Sequence, residues 1–256
     1  MDVTNRVIHV TERFFLFFCP FYIFELAERQ NKREKGMKMK KNGKGIFITG
    51  CLLIAAFTLW TWLIQNVDVQ PVGQNGTSIG FAGLNCWFHK ITGVHMTMYV
   101  ITDWLGLVPI AVCILFGIVG LCQVIQRRSL LKVDCDILAL GLYYMIVIFA
   151  YLIFEMIPIN YRPILIEGVM EVSYPSSTTL LVLSVMPTFC FQINRRLNNM
   201  VIKRVFVNLT IGFSVFMVIG RLISGVHWFS DIVGAVLFST GMFRIYKAVV
   251  MLGDKE

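Results

Sequence analysis

The chain has 256 residues, 57% of them hydrophobic and 15% charged, with a formal net charge of +8. A soluble domain has about 45–50% apolar and about 25% charged residues, so an ordinary soluble enzyme, a disordered chain and a fibrous repeat are excluded. At about 20 residues per membrane-spanning helix, the length holds six spans joined by short loops.

In chain order, the first segment is basic: ten of the 23 Lys and Arg precede residue 45. Phe14–Phe24 is an apolar run broken by Pro20, too short to span and unlike a signal or transit peptide. A start at Met37 or Met39 would leave a short basic tail directly before the first apolar stretch. Residues 1–36 therefore read as an over-extended start or an interfacial anchor, and residues 1–45 as a basic cytoplasmic segment.

Six apolar stretches follow: Ile46–Ile64, Trp104–Ile125, Ile137–Ile157, Thr179–Ile193, Val205–Ile223 and Ile232–Val250. Each is too uniformly apolar for a surface helix, so spans are expected. Lipid leaves backbone polar groups no outside partner, which excludes an open sheet. The expectation is an all-α bundle of six transmembrane helices over residues 46–250, with a short cytoplasmic tail at 251–256.

The loops alternate in character. Gln126–Asp136 and Asn194–Arg204 are basic, whereas Asn66–Asp103, Pro158–Ser177 and Ser224–Asp231 are not. The positive-inside rule then puts both termini in the cytoplasm, with 20 of the 23 cations on that side. No basic stripe interleaves with aromatics on a soluble face, so nucleic acid is not an expected partner. The cysteines number seven and form no CxxC pair. They read as apolar filler rather than a disulfide framework or a metal site.

Three cations fall outside the positive-inside pattern: Lys90, Arg162 and Arg221. The two arginines flank membrane-depth helix ends, where an unneutralised cation calls for an anionic partner. Between them Tyr174-Pro175-Ser176-Ser177-Thr178-Thr179 opens the fourth stretch. Unpaired N–H groups at a helix start form a ready anion site. His227 and Asp231 are four residues apart. On one helix they share a face, and a carboxylate on one imidazole nitrogen makes the other a better nucleophile.

These segments resemble the motifs KxxxxxxRP, PSGH and SRxxxxxHxxxD of the type 2 phosphatidic acid phosphatase superfamily. The third is matched from Arg221 through His227 to Asp231, with Gly220 in place of Ser; the first at Arg162-Pro163; the second at Pro175-Ser176. The resemblance implies that His227 attacks phosphorus to form a phosphohistidine and that Asp231 orients it. It also implies that Arg162, Arg221 and Ser176, with Ser177, hold the phosphoryl oxygens, without metal or other cofactor. Two positions depart from the pattern: Glu155 stands where the Lys falls, and Thr178 where the leaving-group acid, His, falls. Glu155 is expected to pair with Arg162 or to act as a buried acid. Other candidates for the missing acid are His89, His95, Glu167, Glu171 and Tyr174, and the loop with Trp87, Asp103 and Trp104 reads as an aromatic belt or a lid.

The expected activity is hydrolysis of a lipid phosphate or polyprenyl pyrophosphate at the extracytoplasmic face, among membrane lipids. The alternatives are an inactive lipid-phosphate-binding relative and a lipid phosphotransferase. Compact loops and the absence of a eukaryotic targeting signal point to a bacterial plasma membrane.

Overall fold

The computed structural model describes residues 37–253, with side chains from residue 42. The expectations for residues 1–36 lie outside the described residues. Helices α1 (Met37–Asn66), α2 (Ala82–Thr92), α3 (Met96–Leu105), α4 (Leu107–Arg127), α5 (Cys135–Met156), α6 (Ser177–Arg196), α7 (Met200–Ile223) and α8 (Phe229–Gly253) follow one another. Six helical segments are long and apolar enough to cross a membrane, with α3 and α4 counting as one. Among the described residues only isolated antiparallel bridges occur, and no strand. The protein is an all-α integral membrane bundle.

The bundle is organised around α6. It is the least apolar span, with a mean hydropathy of 1.2 against 2.7 for the α3–α4 segment, and the most buried. Its polar side chains find partners inside the bundle. Thr188 bonds the Tyr144 hydroxyl at 2.7 Å, and Gln192 donates to the Tyr246 hydroxyl at 2.8 Å. Buried polar groups are tolerated when paired in this way. A central helix screened from lipid by α4, α5, α7 and α8 therefore needs less hydrophobicity than the outer ones.

Helices α1 and α8 lie against each other along their length. A methyl group added at Gly50 would lie 3.1 Å from the Gly241 carbonyl oxygen, and one added at Gly241 would lie 3.2 Å from the Gly50 carbonyl. Small residues at such a contact let two membrane helices approach closely.

The segment expected as one long loop, Asn66–Asp103, is largely helical and corrects that reading. It folds into α2 and α3, which pack against α8 and α7 respectively. Asn85 of α2 is fully buried. It donates to Ser230 Oγ at 3.0 Å and accepts from Ser230 N at 3.1 Å, pinning α2 to the start of α8. Trp87 and Trp104 stay exposed, as interfacial aromatics do.

Opposite charges gather at the other end. Asp136 accepts from Arg195 and Arg196 at 3.2 and 2.9 Å, and Asp134 pairs with Arg127 at 2.8 Å. The hydrogen bond from Arg127 holds the Asp134 carboxyl below its usual range. Both basic loops thus share one end of the molecule, as their composition predicts.

Candidate active site

The Arg162 segment and the second motif are brought together by a short hairpin. Asn160 O accepts from Ser173 N at 2.9 Å, and Glu171 O from Arg162 N at 3.0 Å. This sets Asn160, Arg162 and Ser173 side by side. Tyr174 anchors the end of the hairpin. Its ring stacks on Phe57 at 6.2 Å, and its hydroxyl bonds Thr61 at 2.7 Å. Burial pushes its phenol well above the usual range.

Asp231, in the first turn of α8, is the hub onto which these pieces fold. Oδ1 accepts from Asn160 Nδ2 at 3.0 Å; Oδ2 accepts from Ser173 Oγ at 2.7 Å and from Trp228 N at 2.9 Å. Its backbone oxygen also accepts from Ser176 N at 3.2 Å. Hydrogen bonds to an ionised group contribute about 1.5–3 kcal/mol each, so the carboxylate locks three separated stretches of chain.

His227 is oriented differently from the sequence expectation. Helix α8 begins at Phe229, so His227 precedes it rather than sharing its face. Nδ1 lies 3.9 Å from Asp231 Oδ2, too long for a hydrogen bond, and instead donates to the Ser173 carbonyl at 3.1 Å. A carbonyl only accepts, so the proton sits on Nδ1 and Nε2 carries the lone pair. Ser173 therefore links the pair: its hydroxyl serves Asp231 and its carbonyl serves His227. Burial, and then the charges of Arg162 and Arg221, hold the imidazole well below its ordinary pKa.

The arginines converge on this histidine. Their guanidinium carbons lie 5.8 Å (Arg162) and 5.0 Å (Arg221) from the centroid of the Tyr99 ring. Arg162 Nε stands 3.0 Å from Glu171 Oε2, an ion pair without hydrogen-bond alignment, and Arg221 Nη2 donates to Asp103 Oδ1 at 2.9 Å and to the Thr178 hydroxyl. Arg162 Nη1, Arg221 Nε and Nη1, and His227 Nε2 are buried without any hydrogen-bond partner. Buried polar atoms are rarely left so. Cationic donors beside a neutral imidazole nitrogen describe a receptor for a tetrahedral anion with a nucleophile against it.

The other sequence candidates are distributed as follows. Ser176 is fully buried and its hydroxyl donates to Thr179 at 3.1 Å, while Ser177 is half-buried at the start of α6. No side chain caps that helix, which leaves its first-turn N–H groups to a ligand. Thr178 is buried against Arg221. Glu155 is exposed, and it is Glu171 rather than Glu155 that pairs with Arg162. His89 Nε2 donates to Gly225 O at 3.1 Å, His95 Nε2 to Thr92 O at 3.0 Å, and Glu167 is exposed. Asn160, Ser173 and Tyr99 went unnoticed in the sequence. The nearness of Asn160 to Arg162 was the one available signal.

Residues 150–252 match the family model of the PAP2 superfamily. This segment is similar to that superfamily. It contains Arg162, Arg221, His227 and Asp231 together. PAP2 proteins are phosphatases, which makes a phosphatase-type function the general reading of the chain. The fold is also similar to a crystal structure described as the first transmembrane PAP2 type phosphatidylglycerolphosphate phosphatase from Bacillus subtilis. That match has a TM-score of 0.54 and 16% identity, covering 78% of this chain and 94% of that one. No curated protein matches.

Proposed function

We propose that the protein hydrolyses a lipid phosphate or pyrophosphate through a phosphohistidine formed on His227. The observation that carries this reading is the cluster of unpartnered buried donors around a neutral imidazole. Arg162 Nη1 and Arg221 Nη1 and Nε hold the phosphoryl oxygens, helped by the open first turn of α6 with Ser176 and Ser177. His227 Nε2 attacks phosphorus, and the bond to the leaving oxygen breaks with its electron pair. The proton stays on Nδ1, hydrogen-bonded to the Ser173 carbonyl, and nearby Asp231 stabilises the positive charge of the phosphorylated ring. Water then attacks phosphorus, releasing inorganic phosphate and neutral His227. No metal takes part, so turnover should persist in chelator.

The leaving group decides the substrate class. Expelling an alkoxide, whose conjugate acid is about as weak as water at a pKa of roughly 16, needs a general acid. Thr178 cannot supply a proton at neutral pH. Each alternative acid is exposed or already bonded elsewhere. A lipid phosphate leaving from a pyrophosphate, with a second pKa of roughly 6, needs no such help. A polyprenyl pyrophosphate-type substrate is therefore favoured over a phosphomonoester.

The test is phosphate release by His227→Ala, expected to fall by at least about 10⁴-fold while the protein still inserts. Near-normal release would remove the covalent route, whereas phosphate binding without release by the wild type would favour the inactive-relative alternative. We place the site on the extracytoplasmic side of a bacterial plasma membrane. Cys86, on α2 beside the site, should then react with a membrane-impermeant thiol reagent in intact cells. Cys135, at the opposite end, should not. The reverse pattern would put the site in the cytoplasm.

A further inference from the structure

The family match begins at residue 150, so α3 lies outside it, yet α3 closes one wall of the site. Its Thr102 is fully buried, and a methyl group added at Gly220 would lie 2.6 Å from the Thr102 Cγ2 atom. The glycine next to Arg221 is thus what lets α3 dock on α7. His95 N donates to Ser224 O at 3.0 Å, tying the start of α3 to the loop that carries His227. From this position α3 turns Tyr99 and Asp103 toward the arginines.

Arg162 and Arg221 are both at least nine-tenths buried and carry like charges. Before a ligand binds, each has buried donors without partners. The negative face of an aromatic ring attracts such cations, more strongly when they are desolvated. The single ring of Tyr99 lies within cation–π distance of both guanidinium groups. Asp103 takes Arg221 Nη2 and leaves Nε and Nη1 open.

We propose that Tyr99 is a positioning residue of the phosphate site, whose ring face holds both arginine planes for one phosphoryl group. The proposal rests on the phosphate-site reading above. Tyr99 acts through Arg162 and Arg221 and exchanges no proton with substrate.

The experiment measures the dissociation constant of inorganic phosphate for the purified full chain, by calorimetry in detergent, together with the thermal midpoint. Tyr99→Leu should weaken phosphate binding roughly tenfold, the loss of two cation–π contacts of ordinary strength. Tyr99→Phe keeps the ring and should bind within about threefold of wild type. Tyr99→Met, which fills similar space without a ring, should resemble Leu and serves if Leu does not fold. Wild-type phosphate binding that Leu and Met leave unchanged would overturn the role of Tyr99 and leave the phosphate site standing. A loss in Phe as large as in Leu would also overturn it, because the hydroxyl would then carry the effect. A wild type that binds no phosphate would overturn both.

Discussion

The two ends of the bundle both collect charge but use it differently. At one end Asp134 and Asp136 are matched by Arg127, Arg195 and Arg196, each in direct contact with a carboxylate. At the other, Arg162 and Arg221 meet one carboxylate each, Glu171 and Asp103, and still keep donors with no partner. Charges that serve the fold are neutralised within it. Charges that serve a ligand are held ready, and the surrounding structure bears the cost of leaving them open. The hub at Asp231 belongs to the second end but has the saturated character of the first, because its task is to build the site rather than to meet the substrate.

The largest effect that sharpens this contrast is expected at that hub. Asp231→Asn should lower phosphate release by about 10³–10⁴-fold, comparable to the loss when a histidine-orienting carboxylate is neutralised elsewhere. Part of the loss should come from the hairpin, since Asn160, Ser173 and Trp228 all bond this carboxylate. Ser173→Ala should therefore also reduce the rate. Full activity in Asp231→Asn, read by the same release assay, would mean that the Ser173 carbonyl alone orients His227.

Thr178→His addresses the missing acid. General-acid help contributes about 10²–10⁴-fold, so even partial placement should raise monoester hydrolysis by more than about tenfold. Pyrophosphate hydrolysis should change little. Paired initial rates on the two substrates read this ratio, and brisk wild-type monoester hydrolysis that Thr178→His leaves unaltered would reveal a substitute acid.

A smaller effect concerns pH. The folded pKa of His227 is depressed by burial and by the two arginines, below the unfolded value near 6.5. Between those values the unfolded chain binds a proton that the folded chain does not. Stability therefore falls as pH drops through this window, by at most about 1.4 kcal/mol per pH unit, and is unaffected by His227 above it. Melting curves of wild type and His227→Ala should diverge only on the acid side. The acid limb of kcat/KM should likewise lie below pH 6.5. An acid limb at or above neutrality would contradict a neutral resting imidazole.

The smallest change in catalysis is expected at the saturated end. Arg196→Ala should lower the melting temperature by a few degrees, since its contacts are partly exposed. Phosphate release per folded molecule should be unchanged. A large loss of turnover there would couple the two ends and break the comparison.

The six spans were legible because lipid demands long apolar runs, and even the weak fourth run was found. Its burial among the other helices explains its polarity. The meeting of Arg162, Arg221, His227 and Asp231 was legible because residue types at that spacing suggest one anion site. Helices α2 and α3 were hidden, being short and of mixed polarity in a stretch rich in Gly and Asn. Asn160 and Ser173 reach Asp231 across 71 and 58 residues of sequence, a contact that no local pattern encodes. The expected hydrogen bond from His227 to Asp231 is replaced by one to Ser173 for a local reason: the helix starts two residues too late to put both on one face.

The contact between Thr102 and Gly220 also constrains how this protein can vary. A side chain at position 220 would meet the Thr102 methyl and force it to shift, so the two positions are coupled. Alanine or glycine at 102 removes that methyl and with it the close contact, so chains that gain a side chain at 220 should favour a smaller residue at 102.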